Sequence, residues 1–307
     1  MITHYFRTLK DSELKSLASS RSGVWTHVVA PTEEELASLV TEFALDESII
    51  EDSKDFFEVP RFERSQGVSY FFARYPSNKV KEDVDTAPLL IVMGETFVLT
   101  VAQMEVPSFA AFISGKQEIV TTQKTKLFLE LVGAITRSFE SRLVRTRRGV
   151  QKDRARLRAI GPREISRLVQ HEHELNDLLA AVVPMNDWLR QVTQRNYFPM
   201  YDDDRELVED ITIANGQLID SSRSILRTIQ NVRSASEAIL ASNLNTTIKT
   251  LTVLTILLTI PTIVASLYGM NVPLPLMNHP QAFWLVAVFI AMAVSLVVWY
   301  FKRVNWL

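Results

Sequence analysis

The sequence predicts an α/β domain followed by long helices and two membrane-spanning α-helices. Short β-branched and aromatic runs bounded by turn formers occur only in the first part of the 307-residue chain, helical patterns replace them from about Gln123, and two apolar segments follow near the end. We therefore predict an α/β domain over 1–120 and a long-helix region over 121–249 that includes the stalk of the first membrane helix. A two-span membrane domain over 250–307 follows, with a short outer loop at 269–281 and a tail.

Individual elements of the first part have local signals. Thr32 followed three residues later by Glu35 is a capping box, which predicts a helix beginning there. The segment 94–96 predicts a hairpin turn between two strands. The predicted strands cover 24–29, 56–63, 68–75, 89–93 and 97–101.

Strong helix breakers in the second part are confined to Gly161-Pro162 and to the stretch 196–199. Three long helices follow from this spacing, near 123–160, 163–195 and 201–267. The last helix begins with three aspartates, which suit the positive end of a helix, and it continues without a break into the first apolar segment.

The two apolar segments, 250–267 and 282–301, contain no charged residue. As helices each spans about 27 to 30 Å, the thickness of the hydrocarbon core of a bilayer. A helix is the form in which a lone segment satisfies all its backbone groups in lipid. Two buried core helices are the alternative, but core helices of this length normally carry a polar face.

Basic residues flank the outer ends of the two segments. Lys249 precedes the first, Lys302 and Arg303 follow the second, and His279 is the one ionisable residue of the loop between them. The positive-inside rule therefore places both termini in the cytoplasm of a multi-pass protein of the cell membrane.

Composition and motifs exclude several functions. The chain has no cysteine, so disulfides, thiolate metal sites and cysteine catalysis are excluded. A net charge of -2 implies no bulk attraction to nucleic acid, and we interpret the basic stretch 137–163 as a solvated face or as partners of acids elsewhere. His171 and His173 point to different helix faces, unlike a zinc-protease pair, and 114–116 lacks the glycine and hydroxyl of a phosphate loop. We predict no enzyme activity, no cofactor and no nucleic-acid partner.

The tetrapeptide Tyr268-Gly269-Met270-Asn271 lies between the two apolar segments. With the tail 302–307 it resembles the CorA family of divalent-cation channels, whose signature is Gly-Met-Asn, and the stretches 45–52, 59–63 and 97–101 are similar to that family's cytoplasmic domain. The resemblance implies a funnel-shaped homopentamer in a lipid bilayer, with the first spans lining the pore. It implies that Gly269, Met270 and Asn271 form the selectivity filter, with a ring of Asn271 holding hydrated Mg²⁺ at the outer mouth. The implied activity is passive Mg²⁺ influx gated by intracellular Mg²⁺, which is both substrate and regulator.

Amides and hydroxyls recur on one face of the first span, at helical spacing of a left-handed bundle. Neutral oxygens of this kind can hydrogen-bond the water shell of Mg²⁺, which sheds water reluctantly, whereas a carboxylate would bind too tightly. Close packing of helices through small hydroxyl residues is the alternative. The resemblance adds Ile248 and Leu251 as a hydrophobic constriction. The predicted pore-lining residues are Asn245, Ile248, Leu251, Thr252, Thr255, Thr259, Thr262 and Ser266.

Two departures from the family pattern keep other functions open. Thr259 and Ile248 stand where many members have Met, and the loop 272–280 has no acid where magnesium-selective members typically carry Glu. The alternative is a Zn²⁺, Co²⁺ or Ni²⁺ transporter of the same superfamily, for which proton coupling and export are both open, as in the similar ZntB branch. A membrane-anchored binding protein without transport would have no reason for the hydroxyl face.

The resemblance also implies a regulatory Mg²⁺ site between subunits, and its position on the pore helix corresponds to Asp210. Its partner in the amino-terminal domain is not clearly matched; the nearest acids include Asp83 and Asp85. Like charges at a subunit contact repel until a hard cation neutralises them. An ordinary solvated helix acid is the other interpretation of Asp210.

Overall fold

The chain forms two compact units, Met1–Asn231 and Val232–Leu307. The predicted division at residues 120 and 249 remains a prediction. The structure is a computed structural model. It describes residues 1–77, 85–154, 162–195, 197–272, 275, 280–304 and 306.

The first unit is built on a seven-stranded sheet with the order β2-β1-β3-β7-β6-β5-β4. Among the described strands β3 and β7 are the one parallel pair, and all other neighbours are antiparallel. Since β5 and β7 are both antiparallel to β6, the strands β3, β5 and β7 run in the same direction. The strands are β1 Ile2–Phe6, β2 Lys15–Leu17, β3 Val24–Val29, β4 Phe62–Ser65, β5 Val68–Pro76, β6 Thr86–Met93 and β7 Phe97–Ala102.

Long helices dominate the rest of the chain, as the sequence predicts. The first membrane segment is the end of α6, a helix of 67 residues, and the second is α7. A 3-10 turn at Pro107–Phe109 precedes the short helix α3. The helices are α1 Glu33–Phe43, α2 Glu47–Asp52, α3 Ala110–Ile113, α4 Lys124–Arg154, α5 Pro162–Arg195, α6 Asp202–Tyr268 and α7 Ala282–Arg303.

Helices cover both faces of the sheet because its central strands are apolar on both sides. On β5, Tyr70 and Phe72 share a core cluster with residues of α1 and α2. Phe71 points to the other face. There its ring lies 4.4 Å from Phe128 of α4 and 5.2 Å from Trp188 of α5, measured between ring centroids. The mixed α/β class predicted for this part is confirmed.

Local signals were accurate where partners lie close in sequence. The Thr32 hydroxyl accepts from the Glu35 amide at 3.2 Å, and the Glu35 carboxylate accepts from the Thr32 amide at 3.0 Å, so the capping box is confirmed. The hairpin between β6 and β7 is also confirmed, closed by the Gly94 amide donating to the Phe97 carbonyl at 3.1 Å.

The predicted strand at 56–63 is wrong over its first six residues, because the strand begins at Phe62. Side chains satisfy the backbone in place of a ladder: the Phe57 amide donates to Asp55, and Arg74 donates to the carbonyls of Phe56 and Glu58. The sequence analysis also missed β1 and β2, since each is short and polar residues interrupt its pattern.

A polar cluster joins α4 to α5. The His171 ring lies between two carboxylates, with Nδ1 3.4 Å from Glu174 and Nε2 3.8 Å from the buried Asp153. The hydrogen bond with His171 is the main cause that lowers the pKa of Glu174. Gly149 of α4 makes room for this ring, because a Cβ there would lie 2.7 Å from His171 Nε2.

We predict opposite effects for two Gly→Ala changes inside helices. Gly149→Ala forces the His171 ring away from its carboxylates and lowers the melting temperature of the full chain in detergent. Gly216→Ala on α6 meets nothing within 4 Å, so the better helix propensity of Ala raises stability by up to about 1 kcal/mol. Thermal unfolding followed by circular dichroism measures both. Equal shifts in the two variants would contradict the assigned role of Gly149.

Candidate pore and metal sites

Helices α6 and α7 are the two described helices that are long and apolar enough to cross a membrane. Only 6% of the most apolar window of α6 and none of that of α7 is buried inside the chain. A soluble core helix would be mostly covered, so the observed exposure fits segments whose surroundings are lipid or other subunits. The predicted spans are confirmed as parts of these two helices.

The predicted pore-lining residues lie on one face of α6. At 3.6 residues per turn, positions 245 to 266 of this set fall within an arc of about 120°. All of them are exposed in the single chain. The opposite face is partly covered: Val253 is 1% exposed, and Leu257 and Val264 are half-buried. One chain therefore leaves the polar face of its own α6 open.

Threonine hydroxyls on this face donate to the carbonyl one turn earlier. The distances are 2.9 Å from Thr252 to Ile248, 2.8 Å from Thr255 to Leu251, 2.7 Å from Thr259 to Thr255 and 2.8 Å from Thr262 to Leu258. Each hydroxyl has one proton and two lone pairs, so these bonds use the proton and leave both lone pairs free. The face therefore presents acceptors, which is what the outward-pointing hydrogens of ion-bound water require. Such bonds are equally compatible with close helix packing, so the lining role remains a prediction.

The signature residues Gly269, Met270 and Asn271 follow directly after the last residue of α6. The Gly269 amide donates to the Ala265 carbonyl at 3.0 Å and the Met270 amide donates to the Leu267 carbonyl at 3.2 Å, so Asn271 follows directly after the last helical hydrogen bonds. The Tyr268 hydroxyl donates to the Pro275 carbonyl at 3.3 Å, so Pro275 lies near the end of α6. The Asn271 side chain is exposed and available to a ligand.

Aromatic and basic side chains meet at the other end of the membrane segments. Lys249 lies 5.8 Å from the ring centre of Trp306, and Arg303 lies 5.4 Å from that of Trp299. Trp306 in turn stacks on Phe301, with centroids 5.5 Å apart. Such pairing of amphipathic rings with cations is typical of the interface between hydrocarbon and water.

Of the predicted regulatory acids, the structure describes Asp210 and Asp85, and neither belongs to a group of described residues that could hold a metal ion. Asp210 is exposed on α6, and Asp83 lies outside the described residues. Asp85 pairs with Arg142 of α4, and its amide donates to Asp177 of α5 at 2.9 Å. Burial raises the pKa of Asp85, and the Arg142 guanidinium opposes that rise. Over the described part of the chain, no three His, Asp or Glu residues are grouped to hold a metal ion.

Sequence reasoning missed the partnership of Asp85 with Arg142 and Asp177. The partners are 57 and 92 positions away along the chain, and no local pattern marks them. The basic stretch did predict arginines paired with acids elsewhere, and Arg142 is one such case.

The polar face, the signature at its end and the second span occur together in a known family. The model of the CorA-like Mg²⁺ transporter proteins matches residues 20–303, nearly the whole chain. The chain belongs to this family. It is therefore a divalent-cation transporter of the membrane and not an enzyme.

Individual relatives agree with the family assignment. The cobalt/magnesium transport protein CorA of Methanocaldococcus jannaschii is 26% identical over 299 residues, covering 92% of this chain and 91% of that protein. The solved structure of the complete CorA magnesium transporter from the same organism has a TM-score of 0.87 at 22% identity, covering 100% of this chain and 99% of that one. The full-length CmaX protein has a TM-score of 0.79 at 16% identity, covering 99% and 97%. The ZntB cytoplasmic domain of Vibrio parahaemolyticus has a TM-score of 0.67 at 6% identity, covering 78% of this chain and 98% of that domain.

We predict that water-soluble thiol reagents distinguish the two faces of α6 in this CorA-family chain. No native cysteine interferes, so single replacements report directly. Thr255→Cys and Thr262→Cys on the polar face are expected to react in membranes. Leu257→Cys and Val264→Cys, on the covered face, are the matched controls and are expected to stay unmodified. The reverse pattern would show that the register of the pore face is wrong.

Proposed function

We propose that five copies of this chain form a passive channel that admits Mg²⁺ down its electrochemical gradient and is gated by intracellular Mg²⁺. The observation that carries the proposal is the face of neutral oxygen acceptors on a charge-free helix that leads to Asn271. Both termini lie in the cytoplasm in this arrangement, with the α/β part over 1–120, the long-helix part over 121–249 and the membrane part over 250–307.

Neutral oxygens suit Mg²⁺ because of the way this ion binds water. Mg²⁺ binds its water tightly, so a route that keeps the first shell intact avoids the cost of removing it. Threonine lone pairs and the Asn271 amide oxygen accept from that shell, and no carboxylate on the polar face of the first span holds the ion too strongly to leave. Ile248 and Leu251, each 61% exposed, supply the constriction that closes the path by excluding water.

The open polar face supports an assembly of several subunits. Water-lined polar faces in a membrane are stable only when they face a protein interior or an aqueous path. A single chain leaves the face uncovered, and a closed ring of copies gives it an aqueous lumen. The pentameric number comes from the resemblance to the family.

A second candidate function is transport of Zn²⁺, Co²⁺ or Ni²⁺, with or without proton coupling. The observation that favours it is the loop 272–280, which contains no acid. Five copies would then lack a ring of negative charge that concentrates hard cations at the entrance.

We predict that Asn271→Ala abolishes Mg²⁺ flux while assembly is retained. The change removes the amide that accepts from the ion's water shell at the pore mouth. Purified protein in liposomes loaded with a Mg²⁺ dye measures the flux, and size-exclusion chromatography measures assembly. Asn243→Ala, an exposed amide of α6 off the polar face, is the control and retains wild-type flux.

The same liposomes decide between the two cargo classes. A Zn²⁺ dye and an imposed pH gradient are added as separate arms. Mg²⁺ uptake that does not respond to the pH gradient supports the proposal. Zn²⁺ uptake driven by the gradient, with no Mg²⁺ signal, favours the second candidate instead. Wild-type Mg²⁺ flux through well-assembled Asn271→Ala would contradict the role of Asn271.

We predict that Asp210 contributes to a Mg²⁺ site that stabilises the closed assembly. Its exposure leaves it free to meet a second subunit, whereas a cation at Asp85 would have to displace Arg142. A ligand that binds only the closed form stabilises it by about 2.7 kcal/mol at a hundredfold excess over Kd. Mg²⁺ therefore protects the wild type from proteolysis, and Asp210→Ala loses part of that protection and conducts more at high internal Mg²⁺.

Asp220→Ala serves as the matched control for Asp210, because Asp220 is another exposed acid of α6. It is expected to keep the wild-type protection curve. If the Asp210→Ala curves for protection and flux inhibition overlay those of the wild type, Asp210 is an ordinary solvated acid and the sensor lies elsewhere.

A further inference from the structure

A crevice of about 630 Å³ lies in the first unit where strands β3, β5 and β7 end. Because these three strands run in the same direction, their carboxyl ends meet at one edge of the sheet. This volume is within the usual range of small-molecule sites. The strand ends contribute Val29, Ala30, Pro76, Ser77, Met104 and Glu105.

Helix α4 and the 3-10 turn close the other side of the crevice. Arg142 and Arg145 extend from neighbouring turns of α4, and Pro107 and Ser108 come from the 3-10 turn. Arg142 is already engaged, since it pairs with Asp85 and donates to the Ser77 carbonyl at 3.3 Å. It therefore acts as part of the wall and not as a free binding group.

Two polar groups in the lining have no partner. The Ser108 hydroxyl oxygen is buried and has no hydrogen bond. Leaving a buried hydroxyl unpaired costs about 1 to 3 kcal/mol, so such a group calls for a bound partner. Arg145 is exposed and forms no ion pair or hydrogen bond with any described residue.

The charges that line the crevice limit how many negative groups the ligand carries. Asp85 offsets Arg142, so Arg145 supplies the unpaired positive charge. Glu105 at the exposed rim disfavours a ligand with several negative groups. Val29, Pro76, Met104 and Pro107 form an apolar part of the remaining wall. Ser138 and Ser141 of α4 also line it, and their hydroxyls donate to carbonyls of their own helix.

We propose that this crevice binds a small molecule with one oxyanion group, a phosphate monoester or a carboxylate, on an uncharged body. The planar guanidinium of Arg145 contacts two oxygens of that group, a geometry that Arg forms with both anions. Ser108 turns about χ1 to donate its buried hydroxyl to a further oxygen, and the body of the ligand covers the apolar part of the wall. This site goes beyond the proposed transport and does not rest on it.

Isothermal titration of the full chain in detergent, at fixed free Mg²⁺, tests the proposal. The probes are inorganic phosphate, AMP and benzoate, with adenosine as the neutral counterpart of AMP. Saturable binding is expected for AMP or benzoate and not for adenosine. AMP binding without benzoate binding assigns a phosphate ligand, and the reverse assigns a carboxylate.

Variants locate the binding. Arg145→Gln is expected to weaken it at least about tenfold, as loss of a charge-assisted hydrogen bond does, and Arg145→Lys to retain part of it. Ser108→Ala is expected to weaken binding several-fold without lowering the melting temperature of the unliganded protein. Arg148→Gln on the same helix and Ser114→Ala lie outside the lining and keep wild-type affinity.

Three results would overturn the proposal. They are the absence of saturable binding for every anionic probe, equal affinity in wild type and Arg145→Gln, or loss of oligomer in Arg145→Gln with unchanged anion affinity. The last result would assign the crevice to a subunit contact. Ion flux in liposomes is measured on the same variants, so failure of the transport proposal is seen separately.

Discussion

A backbone inside a bilayer has no water to satisfy its polar groups, and this constraint shapes the second unit of the protein. Helix α6 meets it by continuing as a helix through its apolar segment to Tyr268, with Pro261 inside that segment, and α7 meets it over Ala282–Arg303. The threonine hydroxyls of the first span also need hydrogen-bond partners there, and they donate to carbonyls of their own helix. The oxygen lone pairs of these threonines stay available on the polar face as hydrogen-bond acceptors. The proposed passage of a hydrated cation depends on them.

Helix α4 organises the first unit. It packs on the sheet through Phe128, joins α5 through the cluster at His171, and binds the start of α6 through a buried hydrogen bond of 3.0 Å from Thr136 to Asn215. Its arginines Arg142 and Arg145 also line the crevice at the carboxyl ends of β3, β5 and β7. A ligand in that crevice would therefore contact the helix that holds the first turns of α6.

Predictions from sequence were accurate where the physical cause is local or periodic. The capping box at Thr32 needs only residues three apart, and the spans need only length and lack of charge. The strand predicted at 56–63 was wrong over 56–61, where Arg74, from a strand further along the chain, binds the carbonyls of Phe56 and Glu58. No residue pattern within 56–61 indicates that Arg74 is a partner.

The sequence by itself determined the family, the fold class and the polar face of the first span, since each depends on identity, spacing or hydropathy along one segment. Only the tertiary structure decided that Asp85 is held by Arg142, that Gly149 leaves space for His171, and that Ser108 and Arg145 line one crevice. These relations join residues far apart along the chain. They depend on how the strands and helices pack together. The sequence pattern within one segment does not show which distant residues that packing brings into contact.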